Sequence, residues 1–296
     1  LTLTVDGFYE RRSDIWVSSD GQNSAVLGAS GSYVNAGIVD SWGTEIGANY
    51  YKKMGNVELN LGGTFTYNRS KIIEMLEEPA AYDYTRSTGN PVGQIFGLQA
   101  IGYFVDQADI DNSLPQQFGP VKAGDIKYKD QNGDNVIDSQ DRVKMFGSSI
   151  PRFYFGFTLN VGYKNFNLSA DFQGLTGRTI SLLDSPLYKP LVSNGNLSQT
   201  LLDNEQPWTV ENATTATLPR LTTLPNENNY QHNSLWFRDG SFLKLRNLRI
   251  SYLYPKTKNH MADVKVYLQG NNLFSLDNVD GFDPGQLGAT YPSLRT

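Results

Sequence analysis

The sequence predicts an all-β protein, namely part of a large antiparallel transmembrane β-barrel. Several segments alternate apolar and polar side chains with a period of two, which is the pattern of a strand with two unlike faces. Many of these segments reach about ten residues, the length that crosses a bilayer at a tilt. The chain is also rich in Gly (28), Tyr (17) and Phe (15), and only 19% of its residues are charged. This composition favours strands and turns over helices.

The clearest alternation covers residues 57–67, and it recurs over 153–163 and 166–172. The last two segments are separated by the short turn Lys164-Asn165, so they are predicted to form a hairpin. Further strands are expected over these four ranges: 1–9, 44–52, 242–254 and 264–271. In the third of them, Phe242 and Ile250 are expected to share a face, which Lys244 and Arg246 interrupt.

The connections between the predicted strands are very unequal in length. Lys164-Asn165 is short, whereas residues 73–122 and 182–234 are long, polar and broken by Pro and Gly. Loops of this length argue against a compact soluble domain, but they are typical of the extracellular side of membrane barrels. A soluble β-sandwich with aromatic side chains in its core remains the alternative.

The charge and the reactive side chains exclude several function classes. The formal net charge is -5, so no basic surface favours nucleic acid. The chain has no Cys, and His232 and His260 are its only His residues. No segment combines a nucleophile, a base and an orienting group, and no apolar run is long enough for a transmembrane helix. We therefore expect no catalysis.

One segment, residues 130–141, has the ligand pattern of a calcium loop. Oxygen-bearing side chains occur at the first, third, fifth, ninth and twelfth positions, and the seventh residue can offer its carbonyl group. The predicted ligands are Asp130, Asn132, Asp134, Val136, Asp138 and Asp141. Asn135 replaces the usual Gly, and Asp141 replaces the usual Glu, as in the dockerin form of the loop. The alternative is a turn held by its own side chains. We expect a structural Ca²⁺.

Three blocks in order along the chain resemble the C-terminal region of SusC/RagA-like TonB-dependent transporters. The first runs from Gly124 through the calcium-like loop to Asp141-Arg142 and then Pro151-Arg152-Phe153. The second contains Pro219-Arg220-Leu221-Thr222 and the stretch 236–248, and the third contains Gly270-Asn271-Asn272-Leu273-Phe274 and Gly281-Phe282-Asp283-Pro284. Within the second block, Trp236 and Phe242 are expected at a strand start, in the aromatic belt.

The resemblance implies a 22-stranded barrel in the outer membrane of a Gram-negative bacterium of the Bacteroidetes. It implies import energised through TonB, with a SusD/RagB-like lipoprotein that delivers oligosaccharides or peptides. The whole chain, residues 1–296, is then expected to be a C-terminal portion that supplies about half of the barrel, with the plug domain and the final strand outside it. Tyr188 and Trp208 in the second long loop are candidate substrate contacts, because aromatic rings stack on sugar faces. The alternative function is a secreted, calcium-stabilised carbohydrate-binding β-domain.

Overall fold

Seven long strands form one continuous antiparallel sheet. The computed structural model describes residues 1–19, 31–78, 80–184, 197–256, 262–279 and 283–286. The long strands are β1 (Thr2–Ser18), β2 (Tyr33–Met54), β3 (Val57–Glu74), β8 (Phe153–Tyr163), β9 (Phe166–Thr176), β12 (Phe242–Tyr254) and β13 (Val264–Asp277). They are hydrogen-bonded in this same order, each to the next one along the sheet. The predicted all-β fold and the predicted hairpin at Lys164-Asn165 are confirmed.

The shorter elements all belong to the two long loops. They are β4 (Gln94–Gly97), β5 (Ala100–Tyr103), α1 (Gln107–Asp111), β6 (Ile126–Tyr128), β7 (Val143–Ser148), β10 (Thr179–Ser181), α2 (Gln199–Asn204) and β11 (Phe237–Asp239). Three 3-10 turns accompany them, at Asp83–Thr85, Ser139–Asp141 and Leu182–Asp184. Neither helix is long and apolar enough to cross a membrane, and no other α-helix occurs in the described ranges.

The register gives the sheet one apolar face and one polar face. A representative apolar row crosses four strands through Val5, Ile46, Phe65 and Phe155. On the opposite face, a representative polar row passes from Thr158 to Asp171 and then to Asn247. Because side chains alternate along each strand, antiparallel pairing in this register keeps the apolar row on one side of the sheet and the polar row on the other. The alternation found in the sequence therefore extends from strand to strand across the sheet.

The apolar face is widely exposed, as a lipid-facing surface must be. Ile250 is 50% exposed, Val266 63% and Leu268 77%. From Val57 to Tyr67 the apolar band of β3 spans ten residue steps, which corresponds to roughly 23 Å of height at a tilt of about 45°. This height matches the apolar band of about 25 Å that outer-membrane barrels present to lipid.

The short turns lie together at one end of the sheet. The turn after β2 contains Gly55 with a φ of 61°, and the turn after β8 contains Lys164 with a φ of 52°. The Lys164 N–H donates to Asn56 O at 3.1 Å, and the Leu253 N–H donates to Asn165 O at 2.8 Å, so these turns are neighbours. The long loops leave from the other end, which by the rule for membrane barrels is the extracellular one.

A β-bulge in β12 corrects the face assigned to Phe242. The register shifts between Leu245 and Asn247, both against β9 and against β13. Before the bulge, Phe242 and Lys244 point to the polar face, whereas beyond it Ile250 points to the apolar face. The prediction that Phe242 and Ile250 share a face is therefore wrong, because an inserted residue reverses the alternation.

The first two strands are longer than predicted. β1 continues to Ser18 rather than ending near Tyr9, and β2 begins at Tyr33 rather than at Thr44. The added parts pair with each other at the extracellular end, with an irregular register near Ile15. Beyond the membrane both faces of a strand meet water, so the alternation that reveals a strand fades there.

Candidate functional site: the two long loops

The two long loops fold together into one unit with its own hydrophobic core. We call residues 75–152 the first loop and residues 177–241 the second loop. Their buried side chains form a single cluster, which comprises Leu98, Ile126, Tyr128 and Ile137 of the first loop with Ile180, Leu182, Leu183, Leu201, Leu218 and Trp236 of the second, and also Val279. Backbone pairing reinforces this packing, because the Leu98 N–H donates to His232 O at 2.9 Å and the Ser234 N–H donates to Leu98 O at 3.0 Å. The described parts of both loops are therefore structured.

A buried carboxylate joins the loops at their centre. Asp125 has no exposed surface, and its Oδ1 lies 2.8 Å from Nε of Arg220 in the second loop. The side-chain amides of Asn226 and Asn229 both donate to Asp125 Oδ1, at 2.9 and 2.8 Å. The Lys122 N–H donates to Asp125 Oδ2 at 2.7 Å. A carboxylate buried in this way requires such partners, so the two loops stabilise each other.

Asparagine side chains extend this joint along β6. The Ile126 N–H donates to Asn229 Oδ1 at 2.9 Å, and Asn228 Nδ2 donates to Ile126 O at 2.9 Å. The Tyr128 hydroxyl donates to Asn228 O at 2.5 Å and accepts from Asn233 Nδ2 at 2.9 Å. Burial raises the pKa of Tyr128 far above its ordinary value, so this hydroxyl stays protonated and remains a donor. The second loop thus satisfies the free edge of β6 as a neighbouring strand would.

The loop unit leans over the polar face of the sheet. The Val92 N–H donates to Ser70 Oγ of β3 at 3.1 Å, and Ser70 lies on the polar face. At the other side of the sheet, the segment after β13 covers the same face, because Asp283 forms an ion pair with Lys244 of β12, whose side chain is only 4% exposed. The polar face and the loop unit therefore enclose the same space, which in a closed barrel is the lumen.

The predicted calcium loop adopts a turn in which the side chain of each predicted acidic or amide ligand accepts at least one backbone N–H. Asp130 accepts from Gly133 N at 2.6 Å and from Asn135 N at 3.0 Å. Asn135 has a φ of 67°, the left-handed conformation that Gly usually supplies at this position of a calcium loop. Asp141 is buried and accepts from Gln131 N at 2.7 Å, which closes the loop on itself.

The remaining predicted ligands of this loop follow the same pattern. Asn132 Oδ1 accepts from Asp134 N at 3.0 Å, Asp134 Oδ1 accepts from Val136 N at 2.9 Å, and Asp138 Oδ1 accepts from Gln140 N at 2.7 Å. No three His, Cys, Asp or Glu side chains within the described ranges converge closely enough to hold a metal ion. The geometry agrees with a turn held by its own side chains, and the calcium site stays a prediction.

Comparisons with known proteins identify the family. The TonB-dependent receptor P26 of Formosa agariphila is 31% identical over 231 residues, which cover 70% of this chain and 22% of that receptor. The TonB-dependent receptor P3 of the same organism is 24% identical over 274 residues, which cover 87% of this chain and 26% of the receptor. No protein-family model matches the chain.

The fold agrees with that of a solved transporter. A structure of the RagAB peptide transporter superimposes with a TM-score of 0.68 at 19% identity, covering 95% of this chain and 30% of that chain. The same importer in its open-open state gives a TM-score of 0.66. The chain belongs to the TonB-dependent receptors, and its fold is that of the RagAB transporter. It spans about a quarter of the length of these curated relatives, between 22% and 26%.

Membership of the TonB-dependent receptors agrees with the expectation that this chain is not an enzyme, since its relatives are receptors and transporters. His232 stacks on the ring of Phe237, with the centroids 6.0 Å apart, and the backbone carbonyl of His232 is used in pairing the loops. His260 lies outside the described residues.

Of the two residues predicted to contact substrate, the structure describes only Trp208. Tyr188 lies outside the described residues. Trp208 is only 8% exposed, and its ring packs against Gly124, where a Cβ atom would lie 2.4 Å from the indole. A sugar could stack on Trp208 only after the ring had moved, and its contact with substrate stays a prediction.

Trp236 is not a belt residue of this receptor, contrary to expectation. It is 1% exposed, belongs to the core of the loop unit, and donates from Nε1 to Asn229 O at 2.7 Å. Phe242 is likewise buried, at 6% exposure. The joint around Asp125 was not predicted from the sequence either. Its one signal is the cluster of Asn residues over 226–233, which is unusual for a solvated loop.

Proposed function

We propose that the chain is part of the barrel wall and mouth of an outer-membrane importer of bulky nutrients, oligosaccharides or peptides, energised through TonB. The main support is a seven-stranded sheet with one lipid-facing side and one polar side, whose mouth carries a folded loop unit. The family is that of the TonB-dependent receptors, which are outer-membrane proteins. The relatives come from Formosa agariphila, which supports an origin in the Bacteroidetes.

In this proposal the polar face of the sheet lines the path of the cargo. Arg249 donates from Nε and Nη2 to Gln269 Oε1 at 2.9 and 2.6 Å, and Asn247 donates to Asp171 Oδ2 at 3.2 Å. Such mutually bonded polar side chains remain wettable and hold no single ligand tightly, which suits passage of hydroxyl or amide groups. This surface is compatible with both sugars and peptides.

We also propose that a SusD/RagB-like lipoprotein covers the loop unit. The RagAB peptide transporter, which this chain resembles in fold, is such a two-component assembly. Several apolar side chains of the loops are exposed, including Phe146 (87%), Val210 (78%) and Leu224 (65%). Exposed apolar side chains of this number are a common feature of surfaces that bind another protein.

A structural Ca²⁺ in the loop 130–141 is part of the proposal. Support comes from six oxygen donors in calcium-loop order and from the left-handed Asn135 that lets the loop turn. Asp130, Asp134, Asp138 and Asp141 would supply carboxylates and Val136 its carbonyl group, which a hard cation prefers. Bound there, the ion would stiffen the first loop.

The alternative of a secreted carbohydrate-binding domain is disfavoured by the apolar face. Leu268 is 77% exposed and Val266 63%, and Phe157 on the same face is 44% exposed. Leaving such side chains in water sacrifices about 1.5–3 kcal/mol each relative to burial. In lipid the same face is favourable.

Deletion of the gene in its native organism tests the proposal. The deletion strain is expected to lose growth on one class of polymer, glycan or peptide, while it grows normally on the corresponding monomers. Deletion of TonB should reproduce the defect, and the full-length receptor isolated from the membrane in detergent should carry a lipoprotein. Normal growth of the deletion strain on every polymer, or release of the receptor without detergent, would contradict the proposal.

A further inference from the structure

The lipid-facing side of β1, β2 and β3 carries a basic cluster near the exposed rings of Tyr9 and Trp42. Two rows of paired residues follow Tyr67 toward the extracellular end. The lower row joins Tyr9 to Trp42 and Trp42 to Arg69, and the upper row joins Arg11 to Asp40 and Asp40 to Lys71. We call Arg11, Arg69 and Lys71 the basic cluster. With Asp40, its formal charge is 3 − 1 = +2.

The position of the basic cluster corresponds to the headgroup layer. Arg69 and Lys71 lie two and four residues beyond Tyr67 on the same face of β3. At about 2.3 Å of height per tilted residue, they stand roughly 5 and 9 Å above the ring of Tyr67. The polar layer of a bilayer occupies roughly 5–7 Å on each side of the hydrocarbon. The cations therefore meet the headgroups of the outer leaflet.

The side chains of the basic cluster are arranged so that they can bind an anion. Arg11 forms two bonds with Asp40, from Nε to Oδ1 and from Nη2 to Oδ2, both at 2.7 Å. This pair fixes the guanidinium, and the Arg11 side chain is 56% exposed. Within the described part of the chain, neither Arg69 nor Lys71 makes a side-chain hydrogen bond or salt bridge. Arg11 on β1 and Lys71 on β3 are separated by two strand spacings, about 9.6 Å, which their long side chains can bridge to reach one phosphate group.

We propose that the basic cluster binds the phosphate groups of a glycolipid in the outer leaflet of the outer membrane. Tyr9 (64% exposed) and Trp42 (36% exposed) lie beside Arg69 and one row below Arg11 and Lys71, where rings contact the upper acyl chains and the headgroup sugar. Charge and position together select a phosphorylated lipid over a soluble anion, because only a lipid brings its phosphate to this height on the outer face. The inference rests on the outer-membrane location and not on the identity of the cargo.

The test uses the purified full-length receptor in detergent, with thermal melting as the readout. Wild-type receptor is titrated with lipid A that bears its phosphates, with the same lipid after dephosphorylation, and with inorganic phosphate. We expect the phosphorylated lipid to raise Tm by several degrees, and the other two probes to have little effect. The shift should shrink as salt is added, because the contacts are partly exposed.

Substitutions then locate the effect. Lys71→Gln and Arg69→Gln should each weaken binding of the phosphorylated lipid about fivefold, which corresponds to the usual contribution of one cation near an anionic surface. Lys52→Gln is the matched control, since Lys52 is an exposed residue on the same face of the sheet at the opposite end. It should bind as the wild type does.

Three outcomes would overturn the proposal: equal shifts with the phosphorylated and dephosphorylated lipid, a full shift with inorganic phosphate alone, or equal losses in Lys71→Gln and Lys52→Gln. Because the readout is lipid binding, failure here is distinct from failure of the proposed import. A receptor that imports normally but ignores the lipid phosphates would refute only this inference.

Discussion

Replacing Asp125 with Asn should open the joint between the two loops. The substitution keeps the size of the side chain but removes the charge that faces Arg220. It also places a new amide group among the amide donors of Asn226 and Asn229, which both bond to Asp125 Oδ1 in the wild type. At least one buried donor therefore loses its acceptor.

The expected cost follows from burial. Removing one partner of a buried ion pair costs about 3–5 kcal/mol. The Arg220 side chain is 22% exposed, so water replaces part of the lost interaction and we expect a value near 3 kcal/mol. If the loops open locally, backbone amides exchange with solvent roughly 150-fold faster, because each 1.4 kcal/mol corresponds to a factor of about ten.

Hydrogen exchange of the full-length receptor measures this effect directly. Faster exchange is expected over both 122–128 and 218–233, since the two segments hold each other. The control is Asp109→Asn, which breaks an ion pair with Lys127 whose side chains are both 29% exposed. That loss should stay below about 1 kcal/mol, or about fivefold in exchange. Unchanged exchange in Asp125→Asn, or faster exchange in one segment only, would refute the proposed joint.

Two further predictions concern the first loop. Asp130→Ala should lower the Tm of the receptor more in calcium than in chelator, and equal melting of variant and wild type in both conditions would exclude a bound ion. The second concerns acid: burial raises the pKa of Glu77, but hydrogen bonds from Thr88 and Ser87 outweigh it and hold that pKa below the ordinary value of 4.5. The ionised carboxylate therefore stabilises the loop above about pH 4.5, and this contribution is lost as the pH falls through the lowered pKa. Protease protection of residues 75–90 should fall in that range in the wild type and in Glu78→Gln, but not in Glu77→Gln.

The part of the fold that lies in lipid could be read from the sequence. Between Val57 and Tyr67 every second side chain points to the apolar face and the others point to the polar face. The period of two in the sequence therefore identifies the two faces. The hairpin at Lys164-Asn165 was predictable for the same reason, because both flanking strands keep their alternation up to the turn. The bulge after Leu245 is not visible in the sequence, because one inserted residue shifts the phase of the apolar–polar alternation while each half of the strand keeps a regular pattern.

The loop unit could not be derived in this way. Its core joins Leu98 to Trp236, and its joint brings Asp125 to Arg220, pairs that are far apart in the sequence and belong to no period. Trp236 was expected in the aromatic belt because a Trp before a strand often lies there, but long-range packing decided otherwise. The six oxygen donors of 130–141 were recognisable from their spacing, and the turn that they form is observed.

The interlocking of the two long loops has a consequence for how such receptors diversify. If one loop were exchanged for that of a relative, Asp125 would lose the side chains that bond to it in the second loop. A buried carboxylate without such partners lowers the stability of the fold. The two loops are therefore expected to be inherited together. Recombination that keeps both loops preserves the packing of the loop unit, whereas recombination between them disrupts it. Attempts to graft a new cargo preference onto this scaffold should transplant residues 75–152 and 177–241 together.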